Sequence, residues 1–366
     1  MIDTVILQLS EGQFTIVDPS KFNIYPETLM GIRSFAKSQN NPTAEDKKKG
    51  IYKPRLTLYK RNFKLHLKIE FSAPKLLWLN NIDELSDNDF DEIVNTLRDR
   101  IIDMGVMVWG SSIEKAEVLS FHPSKNIPIC NGYTASLAIR EIKKVDVSKL
   151  FDMDYKEYRN GGEVLQFYSK IHSLVLYDKV RDIGKPVARA IDKDQTIFQA
   201  SLFDSVKRSR LELLRMEVRL CGKRKMNEIL RKVGYAESPF FSDIFKKDLC
   251  KKILNLYWDK FFDDYKFITS FNNSPQRLLQ AILGEYPRLS LKTALEWVAL
   301  VLLAKDEEGL RGLRYLIENK YPKANWNKIK KRIDKFVNPI FARNLNSFIY
   351  DIERELGEFK PFKLQE

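Results

Sequence analysis

Several residue types that build common functional sites are scarce in this sequence. Its 366 residues include only three cysteines and three histidines. The cysteines are scattered, with no Cys-x-x-Cys pair, which argues against a disulfide framework and against a zinc ribbon or finger. There is no P-loop, no Gly-x-Gly-x-x-Gly after a strand, no His-Glu-x-x-His and no Gly-x-Ser-x-Gly. Familiar nucleotide-binding, zinc-protease and serine-hydrolase signatures are therefore absent.

Long apolar runs are also lacking. The longest, WVALVLLA at 297–304, is far too short to span a bilayer. The opening MIDTVILQL alternates apolar with polar residues and has no basic segment before it, so it is typical of a first strand rather than a signal peptide. Scattered cysteines suit a reducing compartment. We expect a soluble, cytoplasmic protein with no membrane partner.

Charge is what the sequence has in excess. Lys and Arg number 62 against 49 Asp and Glu, giving a net charge of +13. A folded protein this basic usually binds a polyanion, most often nucleic acid.

One basic helix is a candidate for that contact. Residues 324–337 combine an apolar stripe, which includes Trp326 and Ile329, with a basic surface at helical spacing. The predicted DNA-binding residues of this helix are Lys328, Lys331, Arg332 and Lys335. The helices from about 291 to 336 could pack as a helix-turn-helix-like unit that docks on DNA. The alternative is a solvated basic face on a helical bundle.

The periodicity of the chain changes near its middle. Period-2 alternation predicts strands at 1–9, 63–73, 115–127, 162–182 and 211–220, and the third of these is expected to end near Pro123. A capped helix is predicted over 86–105. From about 223 the pattern is helical throughout. We therefore predict an α+β fold: an antiparallel-sheet domain with flanking helices over 1–225, followed by an all-α domain over 226–366.

Polar residues on the predicted strands could assemble one reactive site. Glu70, His122 and Glu217 would supply carboxylates and an imidazole for a divalent cation, which polarises a phosphate. Tyr177 would be the nucleophile. Lys179, two residues further along the same strand face, could lower the pKa of the tyrosine or stabilise the oxyanion. Phosphoryl transfer needs these groups.

Each of these residues also has an ordinary structural explanation. A tyrosine in a strand is commonly there for packing and β-propensity. Glu217, flanked by Arg215 and Arg219, fits a row of structural ion pairs. His122, which precedes a proline, could simply end its strand. Spacing alone does not choose between these alternatives.

Several segments, in order, resemble the replication initiators of filamentous phages and related plasmids, the gene II/X type of rolling-circle replication protein. The similar segments, which span roughly residues 1–260, are MIDTVILQL at the start, LKIEFSAPKLLWLNN at 67–81, the strand from Leu165 to Lys179, LRMEVRL at 214–220 and LCKKILNLYW at 249–258. The tandem His-x-His motif of other rolling-circle enzymes is missing.

This resemblance implies a specific reaction. Such proteins nick one DNA strand at an origin with Mg²⁺ or Mn²⁺, form a 5′-phosphotyrosyl link and leave a 3′-OH primer, and work with a host helicase and polymerase. Carried over, Tyr177 is the nucleophile beside Lys179, and Tyr168 is the rival nucleophile. Glu70 and Glu217 are the metal or active-site carboxylates, and His122 falls where phage members have an acidic residue.

Two other functions stay open. The chain could be a non-catalytic DNA-binding replication or partition protein, in which case the candidate carboxylates would be apart or held in salt bridges. It could also be a structural RNA-binding protein, which we rank last because the predicted strand faces are charged rather than aromatic. For a DNA-nicking enzyme and for a non-catalytic DNA-binding protein alike, Arg219 is also an expected DNA contact.

Overall fold

The computed structural model describes residues 1–22, 35–130, 132–145, 155–159, 163–183, 211–262, 274–321, 326–332 and 346–364. The strands are β1 (Ile2–Ser10), β2 (Phe14–Ile16), β3 (Phe35–Asn40), β4 (Arg55–Arg61), β5 (Lys64–Ser72), β6 (Val106–Val108), β7 (Glu117–Pro128), β8 (Tyr155–Arg159), β9 (Val164–Tyr168), β10 (His172–Asp178) and β11 (Leu213–Leu220). The helices are α1 (Ala44–Lys48), α2 (Ala73–Trp78), α3 (Phe90–Asp103), α4 (Gly110–Glu114), α5 (Ala135–Lys143), α6 (Lys179–Ile183), α7 (Lys223–Lys232), α8 (Phe241–Ile244), α9 (Lys247–Phe262), α10 (Pro275–Glu285), α11 (Leu291–Lys305), α12 (Gly309–Lys320), α13 (Trp326–Arg332) and α14 (Ser347–Glu358).

Nine of these strands form one antiparallel sheet in the order β3-β4-β5-β1-β7-β11-β10-β9-β8. Strands β2 and β6 form a separate pair. The predicted α+β class, with an antiparallel sheet followed by a helical C-terminal region, is confirmed. Within the described ranges, no helix combines the length and hydrophobicity needed to cross a membrane.

The two faces of the sheet differ because side chains alternate along each strand. One face is apolar and contributes to the main hydrophobic core, with buried residues that include Val5, Leu7, Leu67, Ile69, Val118, Leu174, Leu176, Met216 and Val218. Helices α5, α9 and α14 pack against strands β9, β10, β7 and β11. The other face carries polar residues, among them Gln8, Lys68, Glu70, His122, Ser124, Tyr177, Arg215, Glu217 and Arg219. The candidate site lies on this polar face.

Two predicted strand boundaries need correction. Strand β7 does not end near Pro123 but continues to Pro128, because Pro123 lies opposite Ile2 beside an irregularity in the β1–β7 pairing, where its missing N–H is tolerated. Phe63 does not begin strand β5. It forms a two-residue turn with Asn62, in which both residues have positive φ, as hairpin turns of this length require.

The predicted boundary at 225 does not separate two hydrophobic cores. Helix α7 begins at Lys223, close to the predicted change of structure. However, helices α9 and α14, from the predicted C-terminal domain, pack on β7 in the sheet. One hydrophobic cluster accordingly contains buried residues from Met1 to Phe359. The sheet needs these later helices to cover its apolar face.

Helices α10 to α13 pack one after another, and a close backbone contact joins them to the rest of the fold. The N–H of Leu310 donates to the carbonyl oxygen of Lys144, just past helix α5, at 3.1 Å. Gly309 permits this approach, since it has φ +63° and a Cβ there would lie 2.4 Å from the same oxygen.

The segment 360–364 is tied to the loop that follows helix α2. Glu84 is buried and its carboxylate accepts hydrogen bonds from Lys125 Nζ at 2.8 Å and from the N–H of Phe362 at 2.9 Å. Phe362 and Leu364 also pack against a small apolar cluster that includes Ile82. Helix α6, which follows strand β10, contributes Val180 and Ile183 to the same cluster.

Candidate active site

Strand register brings the central candidates together. Tyr177 on β10 lies opposite Arg215 on β11, and Val175 lies opposite Glu217. On the other side of β11, Glu217 lies opposite Ser124 of β7. Residues opposite each other share a face, so the polar residues of three adjacent strands meet around Glu217.

Glu217 is the centre of this group. Its Oε2 accepts a hydrogen bond from the Tyr177 hydroxyl at 3.4 Å. Its Oε1 lies 2.8 Å from Arg219 Nε and 3.2 Å from His122 Nδ1. The carboxylate side chain is only 2% exposed, whereas Arg219 is 37% exposed. Glu217 is thus in direct contact with Tyr177, His122 and Arg219.

The buried charges stabilise one another. Burial alone would raise the pKa of Glu217, but Arg219, His122 and Arg215 hold it well below its usual range. Burial opposes the charge on His122, yet its contacts with Cys221 and Glu217 raise the pKa of the imidazole to about 9. At neutral pH His122 therefore carries a proton and pairs with an ionised Glu217.

Tyr177 is buried and its hydroxyl is protonated at neutral pH. Its residual exposure is 8%, and burial raises its pKa well above 10, although the nearby Arg215 lowers it. A group that approaches this hydroxyl from solvent would have to displace part of its surroundings.

Lys179 is close to Tyr177, but not in the way that alternation predicts. Strand β10 ends at Asp178, whose carboxylate accepts the N–H of Arg181, so Lys179 begins helix α6. Its Nζ still lies 5.7 Å from the centre of the Tyr177 ring. This Nζ is buried without a hydrogen-bond partner in the described part of the chain. Burial, followed by repulsion from Arg215, lowers the pKa of Lys179 to about 7.

Arg215 and Asp3 complete the site, and sequence reasoning missed their pairing. The Arg215 side chain is fully buried and donates through Nη1 to the carbonyl oxygen of Asn81 at 2.6 Å and through Nη2 to Ser124 Oγ at 2.9 Å. Its Nη2 also lies 3.0 Å from Asp3 Oδ1. The available signal was the single acidic residue in the otherwise uncharged opening strand.

Glu70 lies apart from this group. It is on β5, and strands β1 and β7 separate it from β11. Three strand spacings amount to about 14 Å. Its carboxylate instead pairs with Arg55 at 3.5 Å and Lys68 at 3.2 Å. The predicted ligand set of Glu70, His122 and Glu217 is therefore not brought together.

Within the described residues, no three His, Cys, Asp or Glu side chains are placed to hold one metal ion. Since Glu70 is distant and His122 forms an ion pair with Glu217 as a protonated ring, these side chains do not fit a three-ligand metal site in this arrangement.

The rival tyrosine and the basic helix occupy other regions. Tyr168 lies opposite Ser173, four residues along β10 from Tyr177. In helix α13, Trp326 is buried while Lys328 and Lys331 are exposed, as the apolar stripe predicts. Lys335 lies outside the described residues, and so does the side chain of Arg332.

Comparisons with known proteins add no relative. No protein-family model matches the chain, and neither the curated proteins nor the solved structures include a significant match. Function must therefore be inferred from the site and from the motif resemblance.

Proposed function

We propose that this chain is a replication initiation protein that nicks one strand of DNA with Tyr177 as the nucleophile. The observation that carries the proposal is the contact between the Tyr177 hydroxyl and Glu217 in a group with three cationic side chains, namely Arg215, Arg219 and His122. A tyrosine hydroxyl with an acceptor beside it, surrounded by cations, suits attack on a phosphodiester.

In the proposed reaction, Tyr177 Oη attacks the phosphorus and the bond to the 3′-oxygen breaks. The strand keeps a 3′-OH, and its 5′-phosphate stays on the tyrosine. Glu217 accepts the hydrogen bond that orients the hydroxyl, but its low pKa makes it a weak base. Lys179, with a pKa of about 7, is partly neutral near pH 7 and is the better-matched acceptor for the phenolic proton.

Arg219 is the residue through which DNA would first contact the site. It is the most exposed of the cations bonded to Glu217, with 37% of its side chain accessible. A phosphate that binds Arg219 would compete with Glu217 for the guanidinium. A divalent cation, Mg²⁺ or Mn²⁺, stays part of the proposed reaction without an assigned ligand set.

The test is a covalent-adduct assay. Supercoiled DNA that spans the gene for this chain and its flanks is incubated with the protein and MnCl₂ or MgCl₂, denatured, and analysed for nicked DNA with protein attached. We expect adducts with wild type and none with Tyr177→Phe. Tyr168→Phe is the matched control, since it removes a strand hydroxyl on the neighbouring strand, and should still form the adduct.

Adducts in Tyr177→Phe but not in Tyr168→Phe would move the nucleophile to Tyr168. Both variants remove only a hydroxyl, so we expect both to keep the fold. A melting curve of each variant checks this. Mass spectrometry of the digested adduct then identifies the modified tyrosine directly.

A second function, DNA binding without chemistry, is favoured by one specific observation. Glu217 is held by Arg219 and His122, and Glu70 is held by Arg55 and Lys68. This is the arrangement expected of structural ion pairs. If wild type binds the same DNA in a salt-sensitive way but forms no adduct with either Mn²⁺ or Mg²⁺, DNA binding without chemistry is favoured over nicking.

A further inference from the structure

Cys221 occupies an unusual position beside the site. It follows strand β11 directly and precedes helix α7, whose N-cap is Gly222. Two backbone N–H groups, of Cys221 and Gly222, donate to the carbonyl oxygen of Ile171 at 2.9 Å and hold this turn in place. The cysteine is exposed. A thiol at the start of a helix lies in the favourable part of the helix dipole for a negative charge.

In space, the thiol is followed first by an imidazole and then by a carboxylate. Cys221 Sγ lies 3.9 Å from His122 Nε2, and Ser120 Oγ lies 3.4 Å from the same nitrogen. The other ring nitrogen, Nδ1, lies 3.2 Å from Glu217 Oε1. The carboxylate and the thiol therefore lie near opposite nitrogens of the same imidazole, and Nδ1 meets Glu217 as an ion pair without hydrogen-bond geometry. A thiol, an imidazole and a carboxylate in this order are the groups that activate cysteine in several enzyme classes.

The electrostatics agree with this geometry. Burial would raise the pKa of the Cys221 thiol, but its contact with His122 lowers it, with a smaller contribution from Arg219. In the part of the chain that the structure describes, the other two cysteines have no imidazole contact, and Cys130 lies beside Arg354 instead. Cys250 is buried, and burial raises its pKa to about 12. Cys130 is exposed, and no described contact places an imidazole beside it.

We propose that Cys221 is a nucleophilic thiol, activated by His122 and Glu217, and a modification site for soft electrophiles. The thiol proton rests on His122 Nε2, and the sulfur attacks as the thiolate. With an alkyl iodide, the S–C bond forms as the C–I bond breaks, and iodide leaves with the electron pair. With hydrogen peroxide, the S–O bond forms as the O–O bond breaks, and the leaving hydroxide takes the proton from His122 to become water.

The test compares three cysteines within one molecule. The native chain is treated with iodoacetamide at pH 7 in EDTA, and the alkylation of each cysteine is followed by mass spectrometry. We expect Cys221 to react roughly ten times faster than Cys130, which is also exposed, because the contact with His122 favours the reactive thiolate at Cys221. Cys250 should not react. Equal rates at Cys221 and Cys130 would overturn the proposal.

Two histidine variants separate activation from exposure. His122→Gln should bring the Cys221 rate to within about twofold of the Cys130 rate. The control variant is His66→Gln. His66 lies on strand β5, where its ring stacks on Tyr59 of strand β4, and its substitution should leave the ratio unchanged. Retention of the tenfold ratio in His122→Gln would exclude the imidazole as the cause. Protection of Cys250 verifies that each variant is folded.

This inference does not depend on DNA nicking. Alkylation is measured without DNA and without a divalent cation, so it can succeed whether or not a tyrosyl adduct forms. Conversely, slow alkylation of Cys221 would not bear on whether Tyr177 forms an adduct with DNA. The two proposals share Glu217 but have separate nucleophiles and separate readouts.

Discussion

The guanidinium of Arg215 reaches across a whole strand to Asp3. Nη2 of Arg215 lies 3.0 Å from Asp3 Oδ1 although strand β7 stands between β11 and β1. The same nitrogen donates to Ser124 Oγ of that intervening strand at 2.9 Å. The three central strands are therefore joined by one buried ionic contact on the polar face, directly opposite Tyr177.

Removal of the acid from this contact should be costly. Asp3→Asn leaves a buried guanidinium without its counter-charge, and we expect the free energy of unfolding to fall by about 3 kcal/mol. Urea denaturation measures this loss. Asp99→Asn is the matched control, because Asp99 pairs with Arg98 on the surface and should cost less than about 0.5 kcal/mol. Similar losses in both variants would show that the Asp3 contact is no stronger than a surface pair.

The Lys179 side chain should make stability depend on pH. With a pKa of about 7 in the folded chain and about 10.4 when unfolded, it binds more protons in the unfolded state between these values. This group therefore makes the free energy of unfolding rise with pH across that window. Lys179→Met removes the dependence, so the free energy of unfolding of the variant relative to wild type should fall by about 0.7 kcal/mol per pH unit near pH 7 and by about 1.4 kcal/mol per pH unit near pH 9.

Urea denaturation of wild type and Lys179→Met at pH 7, 8 and 9 tests this. Other titrating groups cancel in the difference between the two proteins. Lys328→Met, which changes an exposed lysine, should show a constant difference from wild type. A constant difference for Lys179→Met as well would mean that its ammonium group is as well solvated as that of Lys328.

The ion pair between His122 and Glu217 should be visible in a histidine titration. In Glu217→Gln the carboxylate charge is gone and burial remains, so the pKa of His122 should fall from about 9 by more than one unit. NMR of the imidazole Cε1–H resonances resolves this in a chain with three histidines. His172, which contacts Tyr257 Oη through Nδ1 at 2.8 Å, is the internal control.

The sign of the stability effect follows from the raised pKa of His122. The ion pair stabilises the fold fully below pH 6.5, the ordinary value for histidine, and this stabilisation is lost as the pH rises through about 9. In Glu217→Gln, the free energy of unfolding should not show this decrease as the pH rises. An unshifted His122 titration in the variant would show that Glu217 does not set the charge of the ring.

Gly309 should be intolerant of a side chain. A Cβ at this position would lie 2.4 Å from the carbonyl oxygen of Lys144, and φ is +63°. Gly309→Ala should therefore lower the melting temperature, by an amount worth at least 1 kcal/mol. Gly284→Ala, in helix α10 with no atom within 4 Å of its Cβ, should instead raise stability by up to about 1 kcal/mol. Calorimetry distinguishes the two.

Alternation predicted which residues share a face, but it could not predict which strands are neighbours. The faces of β10 and β11 follow from period-2 spacing, and so does the polar side of Glu217. The position of Glu70 depends on strand order, since β1 and β7 separate its strand from β11. That order is set by long-range packing, which leaves no trace in the local periodicity of β5.

Two further misses have local physical causes. Alternation predicts that β10 continues to Lys179. The strand ends at Asp178 instead, because aspartate is a good helix-capping residue and the Asp178 carboxylate accepts the N–H of Arg181. The position of Asp3 depends on a shift in the β1–β7 register between Ile2 and Val5, and such an irregularity changes where a side chain points. Neither effect follows from hydrophobic pattern alone.

The placement of the last elements constrains how the chain can fold during its synthesis. Strand β1 is made long before helix α14, yet this helix packs on its neighbour β7, and segment 360–364 is bonded to Glu84 and Lys125. The apolar face of the sheet therefore stays partly uncovered until helix α14 has been made. Domains usually fold one at a time as they emerge. Here the core of the sheet is completed only after helix α14 and the segment 360–364 have been made.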